Sequence, residues 1–395
     1  MDATVKSLDQ VLLQGLREVL GTPNRLIALH EPEFTGNESA LVQDCLNSTF
    51  VSSVGKYVYQ FEAMLAEYTG AKHAVAVVNG TAALHIALKL AGVRVGDEVL
   101  VPALCFVATA NAVAHCGAAP HFVDSHIDTM GIDSVALADH LQAIAEPTPL
   151  GPRNRYTGLR IAAIVPMHTY GNPVDMGPLR EVASRFGLPI VEDAAESLGS
   201  TYQGQHTGTF GKLGTLSFNG NKIITTGGGG AILTNDAEMA HRARHFTTTA
   251  KRRHRWEFFH DEIAWNYRLP NLNAALGCAQ MERLPDFLAR KRELAARYQA
   301  AFRNLIGIRF VTEPAGCRSN YWLNTVRLEQ PDMNTRDQLL TAANDAGYQC
   351  RPTWTLLHKL PMYVNCPRAP LPVAEHLEAS LINLPSSAKL ANLLQ

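Results

Sequence analysis

From residue 73 onward the chain alternates short apolar runs with longer stretches of helical spacing. The runs are His73–Val78, Glu98–Pro102, Ala118–Asp124, Ile161–Pro166, Pro189–Asp193, Thr215–Phe218 and Gly230–Thr234. They lack the strict apolar–polar alternation of a half-exposed strand, so they predict strands buried on both faces. Between them, Thr81–Leu90, Ala108–His115 and Pro178–Phe186 are compatible with helices. That alternation predicts a large α/β domain, with a mostly parallel seven-stranded sheet covered by helices on both faces.

The pattern differs at both ends. Val11, Leu12, Leu13, Leu16, Val19 and Leu20 recur at helical spacing and are stopped by Gly21-Thr22-Pro23, which predicts a helical extension over residues 1–28 ahead of the main fold. Thr35-Gly36-Asn37-Glu38 reads as a capping box opening a helix through Ala40, Leu41, Cys45 and Leu46. The large domain then spans 29–265, ending in a polar, basic stretch from Thr247 to Asp261. A connecting helical region occupies 266–305, with Leu276, Leu284, Phe287 and Leu288 facing inward and Arg283, Arg290, Lys291 and Arg292 expected at the surface. Residues 306–395 form a smaller α+β domain, with strands at Ile308–Val311, Tyr321–Leu328 and Tyr348–Pro352 and helices at Asp337–Asn344 and Val373–Ile382.

Charge narrows the functional classes. Among 395 residues, 35 Lys plus Arg balance 36 Asp plus Glu, so a broadly basic nucleic-acid binder is excluded. The seven cysteines are scattered without a C-x-x-C pair, and the fifteen histidines show no H-E-x-x-H or Cys/His spacing, so neither a disulfide framework nor a metal site is expected. No secretory signal or membrane-spanning run stands out. The expectation is a soluble, cytoplasmic protein with no metal, no nucleic acid and no membrane partner.

Three segments carry candidate chemistry. Asn79-Gly80-Thr81-Ala82 ends a buried strand and opens a helix, which makes either an anion site built from helix N-terminal amides or an ordinary capped turn. Glu192-Asp193 places carboxylates at the end of an apolar strand, either as a cap for the next turn or as the anionic partner of a protonated heteroaromatic nitrogen. In Ser217 to Gly230, Lys222 sits among apolar residues and hydroxyls ahead of four glycines that permit close approach to a flat ligand. Lys222 is then either a surface amine or a desolvated nucleophile able to form a Schiff base.

Together these segments resemble the DegT/DnrJ sugar aminotransferases, which are enzymes of fold type I dependent on pyridoxal phosphate (PLP). The carrying residues are Asn79 to Leu84, Val101-Pro102 to Ala112, Glu192 to Gly199, Ser217 to Gly230, Asn266-Tyr267-Arg268 and Asn273-Ala274-Ala275, within a resemblance covering about residues 28–390. The resemblance implies Lys222 as Schiff-base lysine and Asp193 as partner of the pyridine nitrogen. It also implies phosphate contacts from Thr81, Ala82 and Ser217, with Asn266 reaching in from the second subunit of a homodimer, and Phe106 stacking on the ring. Arg268 and His358 are the expected substrate contacts.

Two positions depart from the family pattern. Glu196 stands where Gln or His is usual beside the ring's phenolic oxygen, so it is expected to be either protonated or turned away. Gly228 stands where many members carry Glu.

The wording of Leu29 to Glu38, Val51 to Lys56 and Asn219-Gly220-Asn221-Lys222 is similar to transaminases of legionaminic acid and bacillosamine type pathways. That likeness implies amino transfer from L-glutamate to C4 of a UDP-linked 4-keto-6-deoxy-N-acetylhexosamine for bacterial surface glycans. The alternatives on this scaffold are a keto-sugar dehydratase, against which Lys222 argues because such relatives carry His there, and a C3-aminotransferase on a dTDP-keto-sugar. An alternative of another class is a non-enzymatic phosphate-binding module. The basic aromatic loop Lys251 to Phe259 reads as a solvated loop, a diphosphate contact or, least of all, a nucleic-acid patch.

Overall fold

The computed structural model describes residues 7–392. The expected buried strands form β1 (His73–Val77), β2 (Glu98–Pro102), β3 (Ala119–Val123), β4 (Ile161–Ile164), β5 (Val191–Asp193), β6 (Leu213–Ser217) and β7 (Gly230–Thr234). They pair as a four-stranded unit in the order β1-β7-β6-β5 and a three-stranded unit β3-β2-β4. Parallel bridges Ile164–Ile190 and Met167–Asp193 join the two units into one layer. Strand β7 runs antiparallel to both its neighbours, while β5 with β6 and β2 with β3 and β4 are parallel. The carboxyl ends of β1, β5 and β6 therefore open on the same edge, where ligands of open α/β sheets bind.

Helices α1 (Leu8–Leu20), α2 (Glu38–Ser48), α3 (Lys56–Thr69), α4 (Gly80–Ala91), α5 (Val107–His115), α6 (Ser134–Ile144), α7 (Met176–Phe186), α8 (Ala237–Thr247) and α9 (Asn271–Phe302) account for most of the covering. The capping box expected at Thr35 does not form. Asn37 is the N-cap of α2, the Thr35 hydroxyl donates to Glu33, and the Glu38 carboxylate turns back to accept the Gly36 N–H at 2.8 Å. The stretch before Glu38 is diverted because Arg290, on α9, takes the Glu33 carboxylate in a two-pronged contact of 2.9 Å per arm.

The last part of the chain builds an antiparallel sheet from β8 (Ile308–Phe310), β9 (Asn324–Leu328), β10 (Arg351–Pro352) and β11 (Leu381–Leu384), in the order β8-β9-β11-β10. Helices α10 (Met333–Asp345) and α11 (Pro372–Glu378) accompany it. Ile382, expected in a helix, lies in strand β11, because Ala379 and Ser380 end α11 and the apolar run that follows pairs with β9.

Two expectations change on packing. The leader helix is not a separate extension: Leu12 and Leu16 of α1 are fully buried in one cluster with Tyr298 of α9, Val326 of β9 and Leu339 of α10. Burial of that size stabilises by about 1.5–3 kcal/mol per side chain, so α1 is part of the core it shares with α9, β9 and α10. Lys291, expected at the surface, is fully buried, and its ammonium donates to the carbonyls of Trp322 and Ser386, the former at 3.1 Å. Helix α9 has apolar residues around more than one face, and its C-terminal half packs against α1, β9, β11 and α10. Burial alone pulls the Lys291 amine down to about 7.

A buried polar chain sits at the opposite end of the sheet from the open edge. Glu98 accepts from Asn154 at 3.0 Å and holds His121 Nδ1 at 2.8 Å, and His121 Nε2 meets His140 Nε2 at 2.8 Å. Only one of those two facing nitrogens can carry a proton. Burial holds His140 down to about 4, and it does the same to His85 and His206. Each stays neutral in the fold but takes up a proton in the unfolded chain below its ordinary 6.5. Stability contributed by these histidines is therefore present above pH 6.5 and is lost as pH falls towards 4. Urea midpoints measured across this window should fall with pH, and His140→Gln should flatten the fall; a midpoint independent of pH contradicts this.

Candidate active site

Three strand ends and one loop build a cavity of about 250 Å³ at the open edge of the sheet. Past β1, Asn79 caps α4, its side chain accepting the Ala82 N–H at 2.8 Å. Asn79, Gly80 and Thr81 face the cavity, while Ala82 is buried behind them with its N–H already engaged by the cap, so Ala82 does not line the space. A Cβ at Gly80 would come within 2.9 Å of the Ser217 Cβ, so glycine is what lets the start of α4 lie against the end of β6. Ser217 and Thr81 thereby bring two hydroxyls and the amides of a helix N-terminus to one spot.

The glycines after Lys222 act differently from the expectation. A Cβ at Gly230 would fall 2.5 Å from the Asn79 carbonyl carbon, so that residue serves backbone packing between β7 and the Asn79 turn. Among Gly227, Gly228, Gly229 and Gly230 none lines the cavity.

Asp193, at the end of β5, is almost completely buried. One carboxylate oxygen accepts the Thr109 hydroxyl at 2.6 Å and the other the Ala195 N–H at 3.1 Å, while the Cys105 thiol donates to Thr109 at 3.0 Å. These contacts fix its orientation without supplying a positive charge. Among the described residues no ammonium or guanidinium is ion-paired with Asp193; Lys222 pairs with Glu196 instead. A buried carboxylate left without a cation is costly, which suits a site whose ligand brings the positive charge.

Lys222 reaches the cavity from the loop after β6. Its Nζ lies 3.3 Å from Glu196 Oε1 and 4.0 Å from the centre of the Trp322 ring, with the side chain 11% exposed. Trp322 is held in turn, its Nε1–H donating to the Asn221 carbonyl at 2.6 Å. The Glu196 carboxyl lines the cavity and accepts the Tyr170 N–H at 2.9 Å. Burial, ahead of every other influence, pushes Glu196 up to about 7. Phe106, the N-cap residue of α5, stands half exposed at the mouth, its ring 6.1 Å from that of Trp354.

Of the expected site residues, Thr81, Phe106, Asp193, Glu196, Ser217 and Lys222 share this cavity. Asn266, Arg268 and His358 do not. Asn266 is exposed on the strand-like segment bridging Thr248. Arg268 is buried in an ion pair with Glu62 and donates to the Ala76 carbonyl at 3.1 Å, so its guanidinium is committed to joining α3 to β1 rather than to a substrate. His358 is buried in the turn Leu357–Lys359 behind the cavity wall. The basic loop is exposed, with Arg252 paired to Asp261 at 2.8 Å. Beside it, His245, Asp261 and Glu262 form a cluster whose carboxylates are already met by Arg252 and Arg242.

Sequence reasoning missed Met167, Trp322, Trp354, Thr109 and Tyr170. Trp322 and Trp354 come from the last quarter of the sequence, and no local pattern in either segment announces that the fold will carry them to the sheet edge. Tyr170 has a signal only in three dimensions, a left-handed backbone at φ 56° in a residue that is not glycine.

The donor set fits pyridoxal phosphate. Thr81, Ser217 and the α4 amides match a phosphate, Asp193 offers a buried anion to a protonated pyridine nitrogen, and Lys222 offers an amine at the site of an aldehyde. Residues 32–393 match the model of the DegT/DnrJ/EryC1/StrS aminotransferase family. The chain is 39% identical over 367 residues to the GDP-perosamine synthase of Caulobacter vibrioides, covering 92% of this chain and 94% of that protein. It is 30% identical to the dTDP-4-dehydro-2,3,6-trideoxy-D-glucose 4-aminotransferase of Saccharopolyspora spinosa, covering 86% of each. Among solved structures, the PLP form of the sugar aminotransferase Spr1654 from Streptococcus pneumoniae superposes with a TM-score of 0.82 at 26% identity, covering 91% of this chain and 93% of that one. The chain therefore belongs to the DegT/DnrJ/EryC1/StrS family, and its fold is that of a PLP-dependent sugar aminotransferase of fold type I.

Proposed function

We propose that the protein transfers the amino group of L-glutamate to the C4 ketone of a nucleoside-diphosphate-linked 4-keto-6-deoxy sugar, in the biosynthesis of a bacterial surface polysaccharide. The observation that carries this reading is the meeting of Lys222 with a buried, cation-free Asp193 in one cavity beside the Ser217–α4 anion site. When bound, PLP supplies the electron sink that lets an amino group move between carbon centres.

The chain's own residues do the rest. The Asp193 carboxylate, held by Thr109 and Ala195, favours a protonated ring nitrogen and so deepens that sink. Thr81, Ser217 and the N-terminus of α4 would hold the phosphate end, in the same cavity as Lys222. Lys222 would hold the cofactor through its amine and would move protons to and from the substrate carbon. Trp322 limits the positions open to Nζ and keeps water from that side of it. Phe106 at the mouth is placed to cover the ring.

The nucleotide is the part on which two readings divide. The wording of the segments around residues 29–38, 51–56 and 219–222 supports a UDP-linked N-acetylhexosamine. The relative named a GDP-perosamine synthase supports a GDP-linked sugar, and the relative named a 4-aminotransferase supports C4 under either base. A screen of GDP-, UDP- and dTDP-linked 4-keto sugars with glutamate, read by product mass, separates them.

The reading also includes a homodimer with shared sites. Asn266 is exposed and outside its own chain's cavity, and Phe50, Val51, Val54 and Tyr59 leave apolar surface uncovered on the same chain. In the dimer the partner subunit's Asn266 meets the phosphate, and a loop rich in arginine, Arg252 to Arg255, supplies forked contacts to the sugar's diphosphate.

Lys222→Ala should lower transamination by roughly 10²–10⁴-fold or more, the scale of a lost general acid–base group, and an active variant contradicts the assignment. Lys222→Ala and Asn266→Asp should each be inactive alone, yet regain activity when subunits are mixed and exchanged, because one hybrid site is then intact. No recovery from demonstrated hybrids argues against the shared site.

A further inference from the structure

Glu196 is a titratable group in the cavity whose chemistry the proposed reaction leaves unused. It is buried, with its side chain 1% exposed, and among the described residues two donors meet it: the Tyr170 N–H at 2.9 Å and Lys222 Nζ at 3.3 Å. Several features hold it there. Tyr170 adopts a left-handed backbone that aims its N–H at the carboxyl, and its hydroxyl is tied to Thr353 at 2.7 Å. Asn320 donates to the backbone carbonyls of Glu196 and Leu198 at 2.9 Å each. Strain at Tyr170 that persists under this many constraints marks a position the fold over-determines.

The surroundings leave the carboxyl dependent on Lys222 for its charge. The groups facing it are Lys222 from the loop after β6, the anionic Asp193 at the end of β5, and the neutral Tyr170. The neutral Cys105 lies farther off. Lys222 is the sole cation among them and opposes the repulsion from Asp193. When the Lys222 amine gives up a proton its positive charge is gone, and a buried carboxylate beside Asp193 is then favoured as the neutral acid that receives it.

We propose that Glu196 and Lys222 share one exchangeable proton, with Glu196 taking it when Lys222 must be a neutral nucleophile and returning it when the amine is released. In the forward step an N–H bond of the Lys222 ammonium breaks and an O–H bond forms on Glu196, leaving a neutral amine and a neutral acid; the return step reverses both. The 3.3 Å separation suits direct transfer. Burial places Glu196 near 7, where both forms are accessible at neutral pH. Glutamine or histidine in that position would serve as a hydrogen-bond partner, but glutamine does not titrate. The inference rests on the proposed role of Lys222.

Infrared difference spectra of the full-length apoprotein read the carboxyl directly, without cofactor. The expected result is a protonated-carboxyl C=O band below neutrality that fades with a midpoint near 7, is missing in Glu196→Gln, and persists to higher pH in Lys222→Met. Equal spectra for wild type and Glu196→Gln overturn the proposal. If Glu196→Gln does not fold, an unshifted midpoint in Lys222→Met overturns it instead. In the loaded enzyme, Glu196→Gln should retain covalent PLP on Lys222, while the glutamate half-reaction slows at least tenfold and loses its pH step near neutrality; an unchanged pH profile also overturns the proposal. Failure of PLP to attach to Lys222 in the wild type counts against the proposed function, whereas the apoprotein spectra still decide the shared proton.

Discussion

A buried carboxylate that the protein declines to neutralise organises this molecule. Asp193 ends a fully buried strand, and burying such a charge without a cation costs several kcal/mol. The fold supports it with dipoles, the Thr109 hydroxyl and the Ala195 amide, and keeps the lysine in the cavity engaged elsewhere. Much around the site follows from that choice. A cationic ligand group gains stabilisation on entering, so part of the cost of burying Asp193 is offset by binding rather than by folding.

The architecture makes this arrangement possible because parallel strands deliver their ends to one edge. Strand β5 presents Asp193, β6 presents Ser217 and, one loop later, Lys222, and the turn after β1 opens α4 beside them. The antiparallel β7 lies between β1 and β6 and must pass close to the Asn79 turn, which is why glycine stands at 230. Trp322 and Trp354, from the C-terminal part of the chain, line the cavity, and α9 is tied to Trp322 through the buried Lys291. A lysine in so dry a place, bonded to the carbonyl of Trp322, links the position of the indole on Lys222 to the packing of the long helix.

The main sheet was legible in the sequence because doubly covered strands produce apolar runs that few other structures require. Those runs located all seven strands, and the residues at their ends, Asp193 and Ser217, were legible for the same reason. Local patterns failed where partners distant in sequence decide the outcome. Arg268 looked free to meet a substrate, yet Glu62, on a helix far upstream, claims it. Lys291 looked like a surface residue on an amphipathic helix because nothing nearby in sequence reveals that the C-terminal segment covers it. Thr35 satisfied the pattern of a capping box, but Arg290 draws Glu33 away and the helix starts later. The two tryptophans over the cavity are the same lesson reversed: functional contacts with no local signature at all.

The central claim is that Lys222 holds the cofactor opposite Asp193, and chemical trapping tests it most directly. The purified protein, loaded with pyridoxal phosphate and reduced with borohydride, should carry a single phosphopyridoxyl group on the peptide containing Lys222, with none on that peptide when glutamate is added before reduction. Labelling of another lysine, or none after full reconstitution, would contradict the account and favour a site that merely binds phosphate.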